Sequence, residues 1–375
     1  MRNTLKAATL ESKFPLLAVE ADCIISKDAD ITAVFEVELP ELFTVTAAEY
    51  EAIHAAWAKA IKVLPNYTVV HKQDWFIRED YRSQTDKENL SFLSRSYEMH
   101  FNERPFLNHK CYLYLTKTTK ERMRMQSSFS SLCRGFIIPK EMDKDTTAHF
   151  LDTVGQFARI VNDTGLVHLR RLVGDEITGT EDKAGLVEKY FCLSMENTTA
   201  LEDIELGDDG LRVGDKHVSV HTLSELDALP NKVGTDCRYE RLSTDKSDCK
   251  LSFASPVGLL LSCNHLYNQY IFLDDSGENL QRFEKSARNM QSLSKYSRSN
   301  QINKEWIDLY LNDAHSFGLT SVRAHCNVIA WTDNPMEVKN MRNDVGSQIA
   351  MMECKPRHNT CLLYTSPSPR DKRQS

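Results

Sequence analysis

Two histidines four residues apart, in His217-Val218-Ser219-Val220-His221, are the first place in the chain where a metal could be sought. On a helix that spacing suits one ion. The alternating valines predict a strand instead, on which the two imidazoles share a face about 13 Å apart by strand rise. That is too far for a single metal, and no HExxH glutamate accompanies them. A solvated strand is the expectation, and no metal site is assigned.

Nucleophilic chemistry would need a thiol or hydroxyl beside a base. Cys263-Asn264-His265 and His325-Cys326 bring the right residue types together in sequence. A Cys/His dyad forms in space rather than along the chain, so adjacency alone does not identify one. Buried structural thiols are expected at both places. The carboxylate pairs Asp175-Glu176, Asp208-Asp209 and Asp274-Asp275 fall in turn contexts and read as solvated loops. No catalytic residue is assigned.

Nucleotide chemistry has a stricter requirement, GxxxxGK[ST] between a strand and a helix, so that backbone N–H groups surround the phosphates. None of the 14 glycines precedes a lysine. Gly210-Leu211-Arg212-Val213-Gly214-Asp215-Lys216 comes nearest, but its spacing and its turn-then-strand setting predict a hairpin. No cofactor-binding residue follows from the sequence. Nucleic acid is a weaker possibility, carried by Arg282, Lys285, Arg288, Lys295 and Arg298, with Tyr296, on a polar helix over 281–298. Lys and Arg there could contact phosphates in a salt-dependent manner. Glu278 and Glu284 interleave with them, as on an ordinary solvated face.

These groups must be positioned by regular elements. Strands are expected over 16–26, 31–39, 67–77 and 109–116, with Lys27-Asp28-Ala29-Asp30 as a turn between the first two. Ile31, Ala33, Phe35, Val37 and Leu39 should share one strand face. Thr46-Ala47-Ala48-Glu49 is a capping box, in which hydroxyl and carboxylate each take an orphan backbone N–H. Its helix carries Tyr50, Ile53, Trp57, Ala60, Ile61 and Leu64 and should stop at Pro65. A second helix is expected over 87–101, and the order implies a sheet with helices on one face.

Further along, a helix over 145–163 places Phe150, Val154, Phe157 and Val161 in one stripe. Hairpin material spans 206–220 and a strand-rich stretch 256–273. Helices are expected over 278–296 and 302–317, the latter with Ile302, Trp306, Leu309 and Ala314 on one face. A strand over 322–331 precedes a helix opened by Asn334-Pro335, with Val338, Met341, Val345, Ile349 and Met352 inward. The fold class is therefore α+β: mixed, mainly antiparallel sheets with helices packed on them. Two sub-domains are expected, 1–125 and 130–360, with a boundary near 122–131.

Composition is that of a water-exposed globular chain: 375 residues, 41% hydrophobic, 26% charged and a formal net charge of −7. An acidic body argues against a surface wholly devoted to nucleic acid. The cysteines are scattered singly, as in reduced cytosolic proteins. The apolar run over 14–19 is too short for a signal peptide, and no stretch approaches a membrane span. A cytoplasmic location is expected.

The last fifteen residues are different. Cys361 to Asp371 back-translates to the transposase adaptor of sequencing libraries, so 361–375 is expected to be non-native and disordered. The natural frame is then expected to be cut near Thr360.

Longer strings carry a family likeness. Leu16-Leu17-Ala18-Val19-Glu20, Ile24-Ile25-Ser26-Lys27-Asp28-Ala29-Asp30-Ile31, Phe35-Glu36-Val37-Glu38-Leu39-Pro40-Glu41-Leu42-Phe43 and His71-Lys72-Gln73-Asp74-Trp75-Phe76 resemble the start of the TraG-type conjugation ATPases of conjugative transposons. So do Phe92-Leu93-Ser94-Arg95-Ser96, His100-Phe101-Asn102-Glu103-Arg104-Pro105, Tyr114-Leu115-Thr116-Lys117-Thr118-Thr119-Lys120-Glu121-Arg122 and Cys133-Arg134-Gly135-Phe136. Ala287-Arg288-Asn289, Val322-Arg323-Ala324-His325 and Asn343-Asp344-Val345-Gly346-Ser347-Gln348 extend it over most of 1–360. The family is similar to the type IV secretion traffic ATPases. The resemblance implies an N-terminal docking and assembly domain, peripheral to the inner membrane. Its partners would be inner-membrane components of the conjugation machinery and further copies of the parent. ATP and Mg2+ would belong to a C-terminal P-loop motor that this sequence does not reach, so no catalytic residue carries over.

Overall fold

The computed structural model describes residues 14–81, 91–102, 104–120, 142–197, 201–207, 210–223, 228–230, 233–239, 242, 250–293, 296–319, 321–355 and 357–358. The expected boundary at 122–131, the pair Asp208-Asp209, Lys295 and the tail 361–375 lie outside them.

A hairpin opens the described chain. β1 (Leu16–Glu20) and β2 (Cys23–Ser26) are antiparallel, joined at Ala21 and Asp22, both with positive φ. Two consecutive left-handed residues match the twist of the flanking strands. The single run expected over 16–26 is thus two strands folded on each other. β3 (Ile31–Glu38) follows the turn at 27–30. Ala33, Phe35 and Val37 are buried together as expected, but Val34 is buried on the opposite face and Leu39 is exposed beyond the strand end.

The helix α1 (Ala47–Val63) begins at the expected capping box: Thr46 Oγ1 accepts from Glu49 N–H, and Glu49 accepts from Thr46 N–H. Pro65 follows its C-cap. β4 (Thr68–Glu79), the exposed helix α2 (Phe92–Asn102) and β5 (Phe106–Lys117) come next. α3 (Lys144–Asn162) buries Phe150, Val154, Phe157 and Val161, the expected stripe. After β6 (His168–Arg171), two short helices, α4 (Gly174–Thr178) and α5 (Leu186–Cys192), lead to a three-stranded meander. Its strands are β7 (Ile204–Gly207), β8 (Gly210–Val213) and β9 (Lys216–Leu223). The remainder is α6 (Ser255–Leu260), β10 (Asn264–Leu273), α7 (Ser276–Leu293), α8 (Arg298–Phe317), β11 (Arg323–Thr332), α9 (Val338–Met351) and β12 (Arg357–His358).

All the described strands join one antiparallel sheet, ordered β1-β2-β3-β5-β4-β10-β11-β9-β8-β7, with β6 on β3 and β12 on β9. The two expected halves are joined by the β3–β6 pairing and by the long β4–β10 pairing, from Phe76 opposite His265 to Thr68 opposite Leu273. The described strands of the second group therefore continue the first sheet. The α+β class holds, with pairing antiparallel throughout.

Strand alternation splits the core by face. Helices α1 and α3 cover Phe35, Val70, Leu113 and Leu115 on one side, and α6 and α9 cover Leu223, Tyr267, Val328 and Ala330 on the same side. The other side is not bare, as the expectation of one-faced packing would have it. Ile177 of α4 and Leu186 of α5 close over Val34, Trp75, Leu266 and Trp331. Among the described residues, no helix is long and apolar enough to cross a membrane.

Candidate functional site

The two helix pairs leave a gap between them. Over β4, β5 and β10, between α1 and α6, the sheet floor is open as a cavity of about 840 Å3. Ile53 and Trp57 line one wall, Leu259 and Gly258 the other, and Leu42 and Phe43 one end. Concave, mostly apolar clefts with a few convergent polar groups are the usual form of a ligand site.

The polar groups sit on the floor. Residues 70, 72, 74 and 76 of β4 point to this face, so the alternation that buries Val70 also buries Asp74 and half-buries Lys72. Lys72 Nζ donates to both Asp74 oxygens at 2.6 and 2.5 Å, and His109 Nε2 of β5 donates to Asp74 Oδ1 at 2.9 Å. Asp74 is 4% exposed. Burial disfavours its charge, but the Lys72 ammonium and the His109 hydrogen bond outweigh this and hold its carboxyl well below the usual range. Burial likewise opposes the Lys72 charge, and the Asp74 carboxylate more than offsets it. The floor is thus an ion pair of a buried carboxylate and a half-buried lysine.

Aromatic stacking fixes its surroundings. Phe76 lies between His109 and His265, with ring centroids 4.6 Å apart on each side. His265 is fully buried, and its Nδ1 donates to the Cys263 carbonyl at 2.8 Å. Burial pushes its pKa down to about 4. On the opposite face His71 stacks between Tyr114 and Tyr270 and bonds Asn268 through Nε2, and burial lowers it to about 4 as well.

A second, smaller cavity of about 420 Å3 lies on that opposite face. There Arg170 bridges Glu36 at 2.6 Å and Glu176 at 2.8 Å. Lys110, Lys183 and Lys189 line the same space, and burial together with the Lys110 charge lowers the Lys189 pKa.

Of the residues singled out from sequence, His265 stacks on Phe76 at the larger cavity and Asp175 and Glu176 line the smaller one; the others lie elsewhere. Gly210 to Lys216 forms β8, a turn and the start of β9, with Gly214 at φ +54 in the turn, as the hairpin reading expects. His217 and His221 lie on β9, but the solvated strand is corrected for His221. It is 3% exposed, with Nε2 3.1 Å from Ser219 Oγ, because β9 is an interior strand between β11 and β8. Among the described residues no group of three or more His, Cys, Asp or Glu is arranged to hold a metal ion.

His325 and Cys326 are neighbours on a strand and so face opposite sides of the sheet. Burial raises the Cys263 thiol to about 11 and raises Cys326, where Tyr267 Oη donates to Sγ at 3.5 Å. Cys326 is buried and Cys263 half-buried, and a raised thiol pKa disfavours the thiolate that a nucleophile needs. Glu176 is held by Arg170, Asp274 by Arg323 at 2.6 Å, and Asp275 accepts from Glu278 N–H at 3.0 Å. Asp175 and Glu176 are solvent-exposed as expected but open α4 instead of a loop, whereas Asp274 and Asp275 lie in a loop and are half-buried.

The basic helix expected over 281–298 is interrupted: α7 ends at Leu293 and α8 begins at Arg298. Arg282, Lys285 and Arg288 lie on α7 and Arg298 opens α8. Arg288 approaches Glu284 at 3.8 Å, and Lys120 pairs with Glu278.

The Lys72–Asp74–His109 group was not found from sequence. Its signal was present, a lysine and an aspartate two apart on the strand face that also carries Val70 and Phe76. The histidine is 35 residues away and reaches them only through β4–β5 pairing.

Comparison with known proteins adds one partial match. A protein-family model described as "Domain of unknown function, B. Theta Gene description (DUF3875)" matches residues 3–55, which run through β1, β2 and β3 into α1. Among curated proteins, none matches the chain.

Proposed function

We propose that the chain is the docking and assembly portion of a TraG-type conjugative-transfer ATPase. It would work in the cytoplasm, against inner-membrane components of a type IV secretion machinery and against other copies of the parent. The strings that resemble that family support this reading. The observation that carries it is the outer face of α8, where Ile302, Trp306 and Leu309 are 40%, 59% and 62% exposed. Large apolar side chains exposed at i, i+4 and i+7 of one helix support a docking role, since a partner would take them out of water. ATP and Mg2+ belong to the parent's motor in this reading, and no residue here is proposed to hold them.

The test is capture of inner-membrane conjugation components from detergent-solubilised donor-cell membranes. Wild-type chain should retain them, and a Trp306→Ser/Leu309→Ser double variant should not. Equal retention by folded variant and wild type rejects the reading.

A second reading assigns α7 to phosphate contact. Arg282 and Lys285 are favoured because neither makes an ion pair among the described residues. Single-stranded DNA affinity that falls with salt, and drops after Arg282→Glu/Lys285→Glu, is the expected outcome. Unchanged affinity removes it.

A further inference from the structure

The ion pair in the larger cavity is asymmetric toward the space it faces. The Lys72 side chain is 27% exposed and His109 36%, whereas Asp74 is 6% exposed. Both carboxylate oxygens are already engaged, by Lys72 and His109. A molecule entering the cavity therefore reaches the more exposed Lys72 and His109 side chains ahead of the Asp74 carboxylate. The Gln269 side chain lines the same floor and offers amide N–H donors beside it.

The walls set the rest of the ligand. Ile53, Trp57, Leu259 and Ile271 are apolar, while the acidic residue Glu41, beside Leu42, lines one end; a phosphate dianion or sugar would lose its hydration against the apolar walls without replacement bonds. A volume of about 840 Å3 is within the ordinary range for small-molecule sites and leaves room for an extended alkyl chain.

We propose that the cavity between α1 and α6 binds a long-chain carboxylate, its head group received by Lys72 and Gln269 and its chain lying against Trp57, Ile53 and Leu259. The ammonium contributes a charge-assisted hydrogen bond, stronger than a neutral one. The alkyl chain contributes apolar burial. Recognition is non-covalent, and the site is independent of the conjugation reading.

The experiment is a fluorescence titration of the full chain with cis-parinaric acid below its micelle concentration, followed by displacement with palmitate or hexadecanol. Saturable one-to-one binding is expected, with palmitate displacing the probe at least tenfold better than hexadecanol. Gln269→Leu should weaken binding several-fold. Ile53→Trp, which fills the cavity and leaves the Lys72–Asp74 pair intact, should abolish it, with folding checked by circular dichroism. Lack of saturable binding, equal displacement by acid and alcohol, or undiminished binding in folded Ile53→Trp each overturns the proposal. If Ile53→Trp does not fold, the acid-over-alcohol preference and its loss in Gln269→Leu decide the matter.

Discussion

Asp74 on β4 and His109 on β5 are joined across the sheet by a 2.9 Å hydrogen bond, and the same carboxylate holds Lys72. Removing one partner leaves an uncompensated charge in the sheet. Lys72→Met should cost about 3–5 kcal/mol of stability, whereas Lys72→Met/Asp74→Leu should recover much of the loss. Urea unfolding of the two variants tests this; a double variant no more stable than Lys72→Met would show that the pair stabilises in its own right.

Two imidazoles, His265 buried and His71 half-buried between aromatic rings, make stability depend on mild acid. His71 and His265 have folded pKa values near 4, below the ordinary 6.5, so the unfolded chain takes up protons first. Stability should be full above pH 6.5 and fall between there and about pH 4, by on the order of 1.4 kcal/mol per pH unit per imidazole. Asp74 acts only at lower pH, because its depressed pKa preserves its contribution until the ordinary carboxylate range has been passed. Urea midpoints at pH 7, 6, 5 and 4.5 should decline accordingly, and His265→Phe should flatten the slope.

Native thiols should be slow. With Cys263 and Cys354 near 11 and Cys326 raised by burial, iodoacetamide at pH 8 should label them on the order of a hundredfold more slowly than in urea. Peptide mass spectrometry reads each site. Fast labelling of Cys263 in folded protein would reopen the nucleophile reading.

The α1 cap is separable from everything else. Thr46→Ala removes the hydroxyl that accepts from Glu49 N–H and should cost about 1 kcal/mol. Because Thr46 lies at the surface, the loss should appear in the thermal midpoint without any change in ligand or partner binding.

What the sequence determined by itself was local. The Thr46–Glu49 box, the stripes Phe150 to Val161 and Met341 to Met352, the Gly210–Lys216 hairpin and the α+β class depend on spacing within one element, where period and cap chemistry are sufficient. Tertiary structure decided everything that strand pairing controls. The β3–β6 and β4–β10 ladders joined two expected halves into one sheet, and β9's interior position buried His221. The β4–β5 register brought His109 to Asp74, and the spacing of α1 from α6 opened the cavity above them. Register and helix placement arise from contacts between residues tens to hundreds apart, and no local pattern encodes which strand a given strand will meet.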